Sequence, residues 1–193
     1  MESNKIIGGK IRNIRESRNL SIDEVSERSG VSSAQIERIE GDIEIPSLAP
    51  LIKIARVLGV RLGTFLDDHD KLGPVISLAK DNKNKNALRF TNNSTIARKH
   101  MEYHSLSQDK AGRHMEPFLI EIDASEQTEF KLSTHEGEEF IYVLEGTVEI
   151  AYGKEKYTLE TGDSIYYDSI VAHHVHAPKG VPAKILGVVY TPF

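Results

Sequence analysis

The chain contains no cysteine and no tryptophan. Without thiols there are no disulfides, no thiolate metal sites and no cysteine nucleophile, so any metal must be held by His, Asp or Glu. Long hydrophobic runs are missing too, and nothing approaches the roughly 20 apolar residues that a bilayer-spanning helix needs. The first residues, MESNKIIGGKIRN, have no apolar core of signal-peptide length and no small-residue cleavage pattern, which leads us to expect a cytoplasmic protein without membrane attachment. A strong positive balance is also lacking. The 24 Lys and Arg are outnumbered by 29 Asp and Glu, for a formal net charge of −5. Over residues 1–40, seven basic side chains meet seven acidic ones. A surface for nucleic acid, if there is one, must come from the placement of charges and not from their sum.

What is present is ordinary for a folded chain of 193 residues with 39% hydrophobic content, long enough for one large domain or two small ones. Two periodicities favour two. From residue 7 to about 66 the apolar residues recur at helical spacing, as in Ile7, Ile11 and Ile14, Ile36 and Ile39, or Leu48, Leu51, Ala55 and Leu58. Ser21-x-x-Glu24 and Ser32-x-x-Gln35 read as capping boxes, Gly30 and Gly59 as helix stops, and Pro46-Ser47 as a further start with Pro50 in the first turn. From about Leu88 the pattern changes to short strands such as PFLIEID, EFIYVLEGTVEIAY and AKILGVVY, separated by glycine turns. The stretch KDNKNKN between the halves has nothing to bury and reads as a solvated loop. We therefore expect an α+β protein in two domains: an all-helical domain over residues 1–69, a linker over 70–87, and an antiparallel β-barrel over 88–193. No internal repeat is visible.

The segment Ile22–Ile39 has the layout of a helix-turn-helix: Val25, Val31, Ile36 and Ile39 can form inner faces, Ser26 allows close approach, and Gly30 makes the turn. Spacing alone fits a plain helical bundle equally well. In the first reading, Ser33, Ala34, Gln35, Glu37 and Arg38 would face a DNA major groove, with Gln35 suited to adenine and Arg38 to guanine or phosphate. The whole run from Gly8 to Leu66 resembles the five-helix head of XRE (Cro/repressor-type) regulators. The resemblance is carried by Arg12-x-x-Arg15, Gly30-Val31-Ser32, Ile36-x-Arg38-Ile39-Glu40, Pro46-Ser47-Leu48 and Leu58-Gly59-Val60. It implies a DNA-binding face formed by Ser21, Ser32, Ser33, Ala34, Gln35 and Arg38, presented in pairs to a palindromic operator on double-stranded DNA. Two features depart from that family: Ile22 stands where many members have a phosphate-contacting Gln, and the reading helix lacks a basic residue at Ser33 and carries Glu37.

In the second half, His135 and Glu139 are followed 34 residues later by His173, two imidazoles and a carboxylate that together suit one face of Fe(II), Mn(II), Ni(II) or Zn(II). With eight histidines in the chain, chance spacing is an open alternative. THEGEEFIYVLEG and GDSIYYDSIVAHH are similar to the two motifs of the cupin family, with His135, Glu139, Gly146, Gly162 and His173 in register. That resemblance implies a double-stranded β-helix barrel with a divalent metal as possible cofactor. It also marks a departure, because Ser133 stands where a fourth ligand is usual; His174 and His176 are spare donors.

Alternation places Glu139, Ile141 and Val143 on one face of a strand and Phe140, Tyr142 and Leu144 on the other. With both faces apolar, packing against a second copy to form a homodimer through the cupin is expected, packing against the linker or the helical head being the alternative. Phe118, Ile120 and Ile122 would face the interior if Glu121 faces water. Lys110 and Arg113 either admit an anionic ligand or form a solvated loop. The leading expectation is a DNA-binding regulator with a small-molecule effector in the barrel and no catalytic residues. The alternative is a mononuclear non-haem iron oxygenase. The head-plus-cupin order with a His-Glu-His trio also resembles the hydroxypropylphosphonate epoxidases.

Overall fold

The computed structural model describes residues 4–44, 46–66, 72–79, 88–89, 101–125 and 130–192. Five helices come first: α1 (Asn4–Ser17), α2 (Ile22–Ser29), α3 (Ser33–Glu40), α4 (Leu48–Val57) and α5 (Leu62–Leu66). The residues of the helical repeat are the ones that disappear from solvent, and Ile11, Ile36, Leu51 and Leu58 are fully buried. Burial of each such side chain contributes about 1.5–3 kcal/mol. Ser21 closes a complete capping box with Glu24, and Gly30 ends α2 in the left-handed conformation with φ of 70°. Ser32 makes half a box: its hydroxyl accepts from the Gln35 backbone N–H, but the Gln35 side chain turns elsewhere. Arg12 and Arg15 are structural. Arg15 forks onto the buried Glu40 carboxylate at 2.7 and 2.8 Å, and Arg12 donates to the Glu40 carbonyl, so α1 clamps the end of α3.

Nine strands follow among the described residues: β1 (Leu88–Arg89), β2 (Met101–Ser105), β3 (Met115–Ile122), β4 (Glu138–Glu145), β5 (Thr147–Tyr152), β6 (Glu155–Glu160), β7 (Ser164–Asp168), β8 (His173–His176) and β9 (Ala183–Tyr190). They pair antiparallel in two sheets among the described residues, β1-β2-β3-β9-β4-β7 and β6-β5-β8, rather than in one closed ladder. Phe118, Ile120 and Ile122 are buried between the sheets while Glu121 is exposed, as the alternation requires. No described helix is long and apolar enough to cross a membrane. The KDNKNKN stretch lies outside the described residues.

The head is docked on the β domain. Arg113 is not in a solvated loop: its Nε donates to Glu116 Oε2 at 2.8 Å, both side chains are buried, and Ser107 adds a bond at 3.2 Å. This ion pair lies against Gly63 of α5, where a Cβ would come within 2.9 Å of both Arg113 Nη2 and Glu116 Oε1. A second link joins Arg56 of α4 to Glu136, next to His135. A bulky side chain at Gly63 must therefore displace a buried ion pair, and Gly63→Leu is expected to cost about 1–3 kcal/mol. Calorimetry should show a lower Tm with the unfolding of head and β domain separating; an unchanged single transition would contradict this account of the interface.

Candidate metal centre and nucleic-acid interface

Helix α3 is held at both ends. Ser33 Oγ donates to Asp23 of α2 at 2.7 Å, and the chain after α3 folds back so that the N–H groups of Ile43 and Glu44 both bond the Arg38 carbonyl. Asp42 makes this turn with a positive φ of 56°. The turn delivers Glu44, buried, to the side chains above it: Gln35 Nε2 donates to Oε1 at 2.8 Å and Arg38 Nε to Oε2 at 2.7 Å. Of the six residues expected to face DNA, Ser21, Ser32, Ala34 and Arg38 are exposed, whereas Ser33 and Gln35 are half-buried. The structure adds Glu44, for which no periodicity or motif in the sequence gave a signal. A cleft of about 580 Å³ opens beside the start of α3, with Ser32, Gln35 and Arg38 on one wall and Lys131–Thr134 of the β domain on the other.

His135, Glu139 and His173 converge, each offering one ligand atom, and these atoms lie within 4.8 Å of one another. Their separation of 34 residues along the chain is closed by strand pairing. Glu139 sits on the inner face of β4, His173 opens β8, and Ser133 and His173 exchange both backbone hydrogen bonds at 2.9 Å. Glu139 Oε1 lies 2.7 Å from His135 Nε2 and 3.4 Å from His173 Nε2. The other ring nitrogens face main-chain carbonyls, His135 Nδ1 that of Glu136 at 3.1 Å and His173 Nδ1 that of Val171 at 2.8 Å. A carbonyl only accepts, so each Nδ1 carries a proton and each Nε2 is the nitrogen left for a metal. An Nε2 so close to a carboxylate oxygen needs a proton or a cation between them, and three convergent donors of this kind fit a divalent ion with open positions for ligand. Burial alone would raise the Glu139 carboxyl, but the hydrogen bonds from His135 and His173 prevail and hold it well below the usual carboxylate range. Ser133 lines the wall at the place of the missing fourth ligand. His174 and His176 pack against Phe130, His174 stacked at 4.4 Å and His176 tilted at 4.0 Å, with His176 bonded to Glu149.

The cavity in front of the triad, about 100 Å³, is built from both domains: Ile120, Ile141, Ile185 and Val189 from the sheets, and Ser47, Leu48 and Ala49 from the start of α4. The first turn of a head helix thus forms part of the wall around the triad.

Comparison with known proteins agrees with this division. Residues 11–65 match the Helix-turn-helix family model HTH_3, and residues 118–189 match the Cupin domain model. The chain is similar to an HTH_3 family transcriptional regulator from Vibrio cholerae of solved structure, with 25% identity, a TM-score of 0.69, and coverage of 99% of this chain and 97% of that one. It is also 26% identical over 155 residues to (S)-2-hydroxypropylphosphonic acid epoxidase of Streptomyces wedmorensis, spanning 74% of this chain and 73% of the enzyme. The chain is also 31% identical over 67 residues to the HTH-type transcriptional regulator SinR of Bacillus licheniformis, covering 34% of this chain and 60% of SinR.

Proposed function

With an XRE-type helix-turn-helix domain followed by a cupin domain in one chain, we propose a cytoplasmic transcriptional regulator that reads double-stranded DNA with α3 and binds a small-molecule effector at a divalent metal in the cupin. One observation carries this reading: the metal-site cavity and the DNA-reading helix share a short connection. Ser47, Leu48 and Ala49 line the cavity, and three residues before Ser47 the Glu44 carboxylate holds Gln35 and Arg38. An effector that contacts the start of α4 differently from solvent will shift the disposition of α3, and by linkage DNA will shift effector affinity equally.

A second copy completes the proposal. The outer face of β4 and β7 leaves Tyr142, Leu144 and Tyr166 exposed at 39%, 37% and 63%, an apolar surface suited to a homodimer through the cupin. Two heads on a palindromic operator would compensate for a weakly basic reading surface. DNA from around the protein's own gene, titrated by fluorescence anisotropy across salt concentrations, tests the regulator. Specific binding whose log affinity falls with log salt by roughly 0.9 per phosphate contacted is expected, and the absence of any sequence-specific, salt-sensitive binding would refute it.

A second reading is favoured by the triad and by the 26% identical epoxidase: an Fe(II)-dependent oxygenase in which the start of α4 serves as a lid. Iron would supply the oxygen chemistry, while His135, Glu139 and His173 would hold it and the cavity would exclude water. Substrate-dependent oxygen uptake by the Fe(II)-loaded protein would reverse the ranking.

A further inference from the structure

The two oxygens of Glu139 serve different partners. Oε1 faces the imidazoles of His135 and His173, whereas Oε2 accepts a hydrogen bond of 2.6 Å from the Tyr167 hydroxyl. Tyr167 on β7 is the direct cross-strand partner of Glu139 on β4, so both side chains leave the sheet on its inner face. The ring is buried and flanked by Tyr152 and His173, each with its centroid 5.2 Å away.

A carboxylate with both oxygens available can take a divalent ion through either one or both. Two-oxygen binding would consume a coordination position that the three-donor site otherwise leaves open. We propose that Tyr167 is a positioning residue: by occupying Oε2 it restricts Glu139 to a single donor oxygen and so reserves a position on the metal for the incoming ligand. Neighbouring Tyr166 provides the contrast. Its hydroxyl bonds Glu138 on the exposed outer face of the same strand pair and has no path to the triad.

This inference rests on the triad being a metal centre, and one experiment separates the two. Full-length protein is titrated with Co(II), and affinity and the visible d–d spectrum, which reports coordination number, are recorded for the unsubstituted chain, His135→Ala, Tyr167→Phe and Tyr166→Phe. One equivalent bound by the unsubstituted chain and lost in His135→Ala supports the metal centre; no binding by the unsubstituted chain overturns it and the role of Tyr167 with it. Given a working centre, Tyr167→Phe is expected to bind Co(II) about 10-fold or more weakly with an altered d–d spectrum, and Tyr166→Phe to match the unsubstituted chain. The phenylalanine keeps the ring packing, so a merely structural role predicts the same spectrum. An unchanged spectrum in Tyr167→Phe overturns the proposal whatever the affinity does.

Discussion

Replacing His173 by alanine is expected to weaken divalent-metal binding by at least about 100-fold, beyond the 10- to 100-fold range typical of losing an outer partner. Three donors make the site, and Ser133 supplies no side chain of comparable strength in place of a fourth. His173 is also one of two imidazoles satisfying a carboxylate in the protein interior. Its removal leaves Glu139 with fewer partners for a buried charge, so the metal-free variant should lose stability as well. The pH dependence has a definite sign. Glu139 is held below its ordinary range, burial opposing and the imidazole hydrogen bonds prevailing, and a carboxyl lowered in the folded state contributes stability above its unfolded value that is lost only as pH falls through the folded one. Glu139 therefore stays ionised through mild acid. Isothermal titration with a divalent metal checks the affinity loss, and denaturation of the metal-free variant checks the stability loss; retention of tight binding in His173→Ala would remove the triad from the metal reading.

Local features were legible in the sequence because they depend on near neighbours. The Ser21–Glu24 box and the Gly30 turn are decided within a few residues. The burial of Phe118, Ile120 and Ile122 follows from alternation. The triad was visible because His135 and Glu139 lie four residues apart and His173 falls in a second motif, although only the pairing of Ser133 with His173 closes the distance. What was not legible depends on register or docking. Tyr167 meets Glu139 because β4 and β7 pair in one register, and a slip of one residue would send the phenol to the outer face. Arg113 looks like a loop cation until α5 is seen resting on its ion pair with Glu116. Glu44 looks like an ordinary surface acid until the turn after α3 folds it beneath Gln35 and Arg38.

That last arrangement determines what a substitution at Arg38 should do. Arg38→Ala is expected to lower specific DNA affinity by about 10- to 100-fold, the ~1–3 kcal/mol typical of a bidentate base contact. Glu44 takes the Nε of Arg38, and on the proposed reading the two Nη groups would be the donors to guanine O6 and N7. The carboxylate thus aims the fork while its own charge is balanced. Removing the guanidinium withdraws the contact and leaves the Glu44 charge close to a phosphate-rich partner, so both effects act in one direction. Glu44→Gln separates them: the charge disappears while the shape stays, and discrimination between operator and scrambled duplex should fall more than total affinity does. Salt dependence assigns the contact. A base contact leaves the slope of log affinity against log salt unchanged, whereas a phosphate contact lowers it by about one. Operator affinity in Arg38→Ala equal to that of the unsubstituted chain would mean that α3 does not read DNA through this residue, and would shift the weight of the two readings toward the iron centre.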